Sequence, residues 1–246
     1  MNVKNWMWYV FYLLCIGLLL IGCSPVDTSE SILTKSDGDG FTYSGLFKGV
    51  DELDKRKNGT YYKPVSMGEM MTAIPDSMRN AIHLIDSKKI PFEVDAESAY
   101  LVTSQDDQGN IQHQVQFSYS SGSRSDEFLN ISVTEVEENP LLKHDFSTEK
   151  YDPVGNELRK EVLVDDIPIF HQVITTNSSL VYKYYNLNEE KNIIHLVNTR
   201  AHELYAYYQG HVYHIGYSIN ESQADDDDVH EQFLHITREW ILGANE

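Results

Sequence analysis

The chain has 246 residues, with 38 acidic and 19 basic side chains and a formal net charge of −19. Such a balance excludes the cationic footprint that nucleic-acid binding needs. A chain of this length, 41% apolar, buries enough core to fold without disulfide staples.

The N-terminus carries one positive side chain, Lys4, and then an apolar run from Trp6 to Gly22 broken only by Tyr9, Tyr12 and Cys15. A spanning helix needs about 20 apolar residues with anchoring flanks. This run is a little short. Its charged start, apolar middle and small residue before a cut match a secretory signal. Leu20-Ile21-Gly22-Cys23 resembles the lipobox of bacterial lipoproteins. The resemblance implies a diacylglycerol on the Cys23 thiol and cleavage after Gly22. Residues 1–22 are then a signal peptide, and lipidated Cys23 anchors the chain to the outer face of the bacterial cytoplasmic membrane. A thiol is the nucleophile a lipid transferase needs, and a small Gly22 admits a peptidase. An uncleaved membrane anchor is the alternative. The mature chain would keep Cys23 as its one cysteine, which excludes an intramolecular disulfide and thiol catalysis. The acidic body would be repelled by anionic lipid, so the anchor would hold it near a surface it does not otherwise favour.

Residues 23–40, rich in Ser, Thr, Asp and Gly, read as a flexible tether. Asp37-Gly38-Asp39-Gly40 has the look of a calcium loop, but Lys48 stands where the bidentate Glu would be. Residues 41–246 read as a single globular domain. Phe41 to Pro64 is a mixed segment. Ser66-Met67-Gly68-Glu69 is a capping box that opens a helix. Pro75 interrupts it, and a second helix to about Ser87 places Met78, Ile82 and Ile85 on one face, so the helical part covers about 66–88. From Ile90 the period becomes two. Val115, Phe117 and Tyr119 alternate with polar neighbours, as do Leu129, Ile131 and Val133. Val162 to Val173 turns at Asp165-Asp166. Leu180–Asn186 and Ile193–Thr199 flank a hairpin loop, and Gln209-Gly210 joins Glu203–Tyr208 to His211–Ile219 as a tight hairpin. The β-rich part thus runs over about 90–220. A closing helix over about 229–242 carries Val229, Phe233, Ile236 and Trp240 on one face. The pattern predicts an α+β fold: N-terminal helices, a meandering curved antiparallel β-sheet, and a C-terminal amphipathic helix packed on it.

From Ile90 to Leu242 the order of these features resembles a domain-of-unknown-function family of Gram-positive envelope lipoproteins and anti-sigma-factor extracellular domains. The pieces are "IPFEV" with Tyr100 after it, "QVQFSYSS", "LNISVTEVE", "VLVDDIPI", "LYAYYQGHVYHIGYSI" and "EQFLHITREWI". The resemblance implies a curved antiparallel sheet with helices on one side, and it brings no catalytic residues. The long stretch between Pro168 and Glu203 departs from the family's pattern.

No motif assigns a reaction. There is no Gly-x-Ser-x-Gly elbow and no phosphate loop, and Ser147-Thr148-Glu149-Lys150 lacks its companion motifs. His211 and His214 point to opposite faces of one strand, and His230 and His235 are badly spaced for one ion, so neither a metal nor another cofactor is expected. Asp225–Asp228 reads as helix-start chemistry rather than a cation site. Tyrosines crowd the C-terminal sheet, and Tyr205, Tyr207, Tyr213 and Tyr217 are the candidate binding surface, the alternative being that they simply fill the sheet. The sequence therefore favours a lipid-anchored, non-enzymatic binding module whose partner is an envelope protein or a small apolar ligand. A cell-wall or peptide hydrolase with an unrecognised site, and a structural or stress- or sporulation-associated envelope protein, are the alternatives.

Overall fold

The computed structural model describes residues 32–44, 56–105, 109–122, 127–143, 150–177, 182–220 and 227–243. Gly22 and Cys23, with the whole expected signal peptide and the first half of the tether, lie outside the described residues, as do Ser147 and the first half of the Asp225–Asp228 run. Among the described residues no helix is long and apolar enough to cross a membrane.

The architecture is α+β and dominated by one open, curved sheet of eleven strands. In chain order the strands are β1 (Lys35–Gly38), β2 (Lys57–Tyr62), β3 (Ala96–Gln105), β4 (Ile111–Ser120), β5 (Phe128–Glu135), β6 (Glu157–Val164), β7 (Ile167–Val173), β8 (Tyr182–Asn188), β9 (Ile193–Thr199), β10 (His202–Tyr208) and β11 (His211–Ser218). The helices are α1 (Met67–Ala73), α2 (Asp76–Asn80) and α3 (Asp227–Leu242). The spatial order is β6-β7-β10-β11-β5-β4-β3-β2-β1-β9-β8. Sequential hairpins build β3-β4-β5, β6-β7, β8-β9 and β10-β11, but the sheet is no simple meander. β10 pairs with β7 and β11 with β5, and the β8–β9 hairpin crosses to the far edge. There β9 joins β1 in parallel, which makes the sheet mixed.

The expected turns are present. Gln209 and Gly210 both have positive φ, 46° and 84°, as the type I′ hairpin demands. Asp165, at φ 50°, turns β6 into β7. Ser66 caps α1 through a reciprocal box with Glu69. Two expectations differ. β1 lies inside the span read as tether, because Gly38 has no Cβ and so can lie against the Tyr61 ring, 2.1 Å from where a Cβ would stand. α2 ends at Asn80 rather than near Ser87. Here the Ala81 carbonyl accepts from the Tyr213 hydroxyl at 2.8 Å and His83 N–H donates to the Trp240 carbonyl at 3.2 Å, so the backbone is tied to other elements instead of to a continuing helix.

One face of the sheet carries Leu101, Phe117, Ile131, Leu204 and Ile215 and packs against all three helices in the main core. α3 buries Val229, Phe233, Ile236 and Trp240 against it, the face predicted from spacing. The other face is apolar only at its ends. One end holds Leu158, Phe170, Tyr205 and Val212. At the other, Tyr61, Tyr100, Val102, Tyr185 and Ile194 pack where the β1-β9-β8 edge curls back over the sheet. Between the two lies a buried polar band.

Candidate functional site: a buried polar band

Residues directly opposite on neighbouring antiparallel strands share a face. Register therefore places Gln116 (β4), Ser132 (β5), His214 (β11) and Tyr205 (β10) in one row across the sheet. Ser118, Asn130, Gly216 and Glu203 form the next row, and Gln114 and Thr134 belong to a third. Gln114, Gln116, Asn130, Ser132, His214 and Glu203 are all buried.

The β4 half of this band has a structural explanation. A sheet edge folded against protein must find partners for its backbone N–H and C=O groups. Gln116 supplies them to β8. Its Oε1 accepts from Tyr185 N–H at 2.7 Å and its Nε2 donates to the Tyr185 carbonyl at 3.0 Å, so one amide side chain replaces a neighbouring strand. Gln114 Nε2 donates to the Thr42 carbonyl and to Thr134 Oγ1, and its Oε1 accepts from the Tyr185 hydroxyl at 2.5 Å. Thr42 Oγ1 in turn donates to the Lys183 carbonyl. Every polar atom of these two glutamines is used.

The β5–β11 half is different. His214 Nε2 lies 2.6 Å from Glu203 Oε2, and each side chain is 5% exposed. Removing both groups from water is costly, and only their mutual bond and further hydrogen bonds offset that cost. Yet His214 Nδ1, Ser132 Oγ and Asn130 Nδ2 have no hydrogen-bond partner among the described residues. A buried polar group left unmatched costs about 1–3 kcal/mol, and native proteins rarely gather several. Tyr182 covers the group. Its ring fills the space a side chain at position 216 would take, stands edge-on to His214 at 5.1 Å, and stacks with Phe128 and Tyr184. Burial, with the nearby charge of Glu203, pushes the Tyr182 phenol well above its ordinary range, so it stays neutral. Chemically the set offers an amide donor, a hydroxyl and an imidazole nitrogen, with a carboxylate orienting the imidazole.

The four tyrosines proposed from sequence do not form one exposed surface. Tyr213 and Tyr217 face the helices in the main core, while Tyr205 lies on the opposite face at the sheet's other apolar end, and all three are buried. Tyr207, beside Tyr205, is half-buried. Tyr217 belongs instead to a histidine cluster under α3. Its hydroxyl lies 2.6 Å from His171 Nε2 and 2.8 Å from His230 Nδ1. His211 and His214 do point to opposite faces, and His230 is buried while His235 is exposed. Asp227 pairs with Arg159 at 2.9 Å, within the helix start. Among the described residues no three of His, Cys, Asp and Glu are placed to hold a metal ion.

Sequence reasoning missed the band because its members are ordinary alternating strand residues. The signal was the composition of the outward positions: Gln, Gln, Ser, Asn, Ser and Thr on β4 and β5 are amides and hydroxyls rather than charges, which suits a covered polar face better than a solvated one. Comparison with family models, curated proteins and solved structures finds no match to the chain.

Proposed function

We propose that the mature chain is held by a diacylglycerol at Cys23 on the outer face of the bacterial cytoplasmic membrane, as in the envelope lipoproteins it resembles, and serves there as a non-enzymatic binding module. The Leu20–Cys23 box behind an apolar run supports the anchor. The observation that supports binding is the trio of unmatched polar atoms, Asn130 Nδ2, Ser132 Oγ and His214 Nδ1, on one sheet face beside the Glu203–His214 pair. A ligand that fits them is small and presents a hydrogen-bonding group with both donor and acceptor character, such as a carboxamide or a hydroxyl. The partners read from the sequence, an envelope protein or a small apolar ligand, are the alternatives. The ligand reaches the band when Tyr182 and the β8–β9 hairpin lift.

The experiment is mass spectrometry of the chain extracted gently from bacterial envelopes. Under denaturing conditions the mass should equal that of residues 23–246 plus a diacylglycerol. Under native conditions it should carry an additional small ligand, lost in Ser132→Val. An N-terminus that retains residues 1–22 contradicts the anchor, and a bare protein mass contradicts the binding role.

A hydrolase is the second reading, and one observation favours it. Ser132 is the cross-strand partner of His214, which Glu203 orients, and Asn130 Nδ2 and the Tyr182 hydroxyl are unmatched donors of the same band. Labelling by a fluorophosphonate that is absent in Ser132→Ala would select this reading.

A further inference from the structure

Three histidines from three elements meet beneath α3. His171 on β7, His202 on β10 and His230 on α3 are all buried. The His202 and His230 rings are 4.7 Å apart between centroids, and those of His171 and His230 are 5.7 Å apart. The Tyr217 hydroxyl bridges His171 Nε2 and His230 Nδ1, and its ring stacks on Phe233 of α3 at 3.9 Å and on His202 at 5.0 Å. The single Tyr217 proton serves one of its two neighbours, so the other ring must donate to the phenol oxygen. His202 Nδ1 accepts from Ile174 N–H at 3.1 Å, which requires the neutral ring, since an imidazolium has no lone pair there.

The surrounding charges oppose protonation. Arg159 on β6 bears on His171, His202 and Tyr217, and Arg200 bears on His202. Arg159 is itself bonded to Glu157 on β6 at 2.8 Å and to Asp227 on α3 at 2.9 Å, and Glu231 bears on Tyr217. Burial first, then repulsion by the neighbouring rings, holds His171 well below the usual histidine range and His202 at about 3.

We propose that this cluster is an acid-operated latch: charging the histidines drives α3 off the sheet and uncovers the apolar side of Phe233, Ile236 and Trp240. The device is independent of the polar band and of lipidation. A free histidine titrates near about 6.5. With α3 released, His171 and His202 therefore bind protons that the docked state refuses. Above that pH docking does not depend on pH. Below it, each ring shifts the equilibrium toward release by up to about tenfold per pH unit, or about a hundredfold for both.

The test is hydrogen exchange, read by mass spectrometry on the full chain in detergent between pH 7.5 and 4.5 and corrected for the intrinsic exchange rate. The latch predicts that protection of residues 227–243 falls below pH 6.5 with a slope between one and two, while β3, β4 and β5 stay protected. The variant H171Q/H202N keeps the hydrogen-bonding atoms and removes two of the three rings, so α3 should then open with a pH slope reduced to what His230 alone can supply, at most one. If that variant does not fold, proton uptake by the wild type decides: release coupled to more than one proton supports the latch. Release without uptake, an unchanged slope in a folded variant, or loss of β3–β5 in step with α3 would overturn it.

Discussion

Gly216 lies in the middle of β11, paired with β5 on one side and β10 on the other. A Cβ there would stand 2.2 Å from the Tyr182 ring, whereas real Cβ contacts essentially never fall below 3.0 Å. A strand with ladders on both sides yields little, so in Gly216→Ala the fully buried Tyr182 must shift. Overpacking of this kind costs about 1–3 kcal/mol. If the ring leaves altogether, the loss approaches that of truncating a large buried aromatic, about 3–5 kcal/mol. A double-mutant cycle isolates the contact. Tyr182→Ala alone should cost about 3–5 kcal/mol. Adding Gly216→Ala to it should cost almost nothing, because the ring that caused the clash is gone. Urea denaturation at pH 7.5, on ligand-free chain refolded from denaturant, measures all four corners of the cycle. A coupling of about 1–3 kcal/mol is expected, and costs that add within about 0.5 kcal/mol would refute the seating of Tyr182 on Gly216.

Two further outcomes follow from the same packing. Trp240 is completely buried and lies 5.1 Å from Phe117 and 6.3 Å from Tyr119, so Trp240→Ala should cost about 3–5 kcal/mol and visibly lower the urea midpoint. An unchanged midpoint would show that α3 does not belong to the core. A chain starting at Gly40 loses β1, which joins β2 to β9, and so should expose β8 and β9 to proteolysis where a chain starting at residue 31 resists; equal resistance would contradict the role of β1.

The elements with a clean period were legible in the sequence. Phe117 and Ile131 alternate with polar neighbours, Trp240 recurs at helical spacing with Phe233 and Ile236, and the Gln209-Gly210 turn fixes its own hairpin. β1 was not legible, because Lys35, Ser36, Asp37 and Gly38 carry no apolar pattern and the strand depends on Gly38 meeting Tyr61. The crossing of β8–β9 to the far edge was hidden for a similar reason: local alternation reveals a strand but not its partner. The tyrosines misled because aromatic strand residues read alike whether they face solvent or core, and Tyr213 and Tyr217 face core. The Glu203–His214 pair was hidden by its diagonal register, since two residues 11 apart become neighbours only when the hairpin's phase is known.

The polar band as a ligand site is tested most directly by a high-resolution crystal structure of the chain purified from bacterial envelopes. The account predicts non-protein density within hydrogen-bonding distance of Asn130 Nδ2, Ser132 Oγ and His214 Nδ1, beneath a displaced Tyr182. A band closed by a direct bond between Ser132 Oγ and His214 Nδ1, with Tyr182 seated on Gly216 and no density between them, would contradict it.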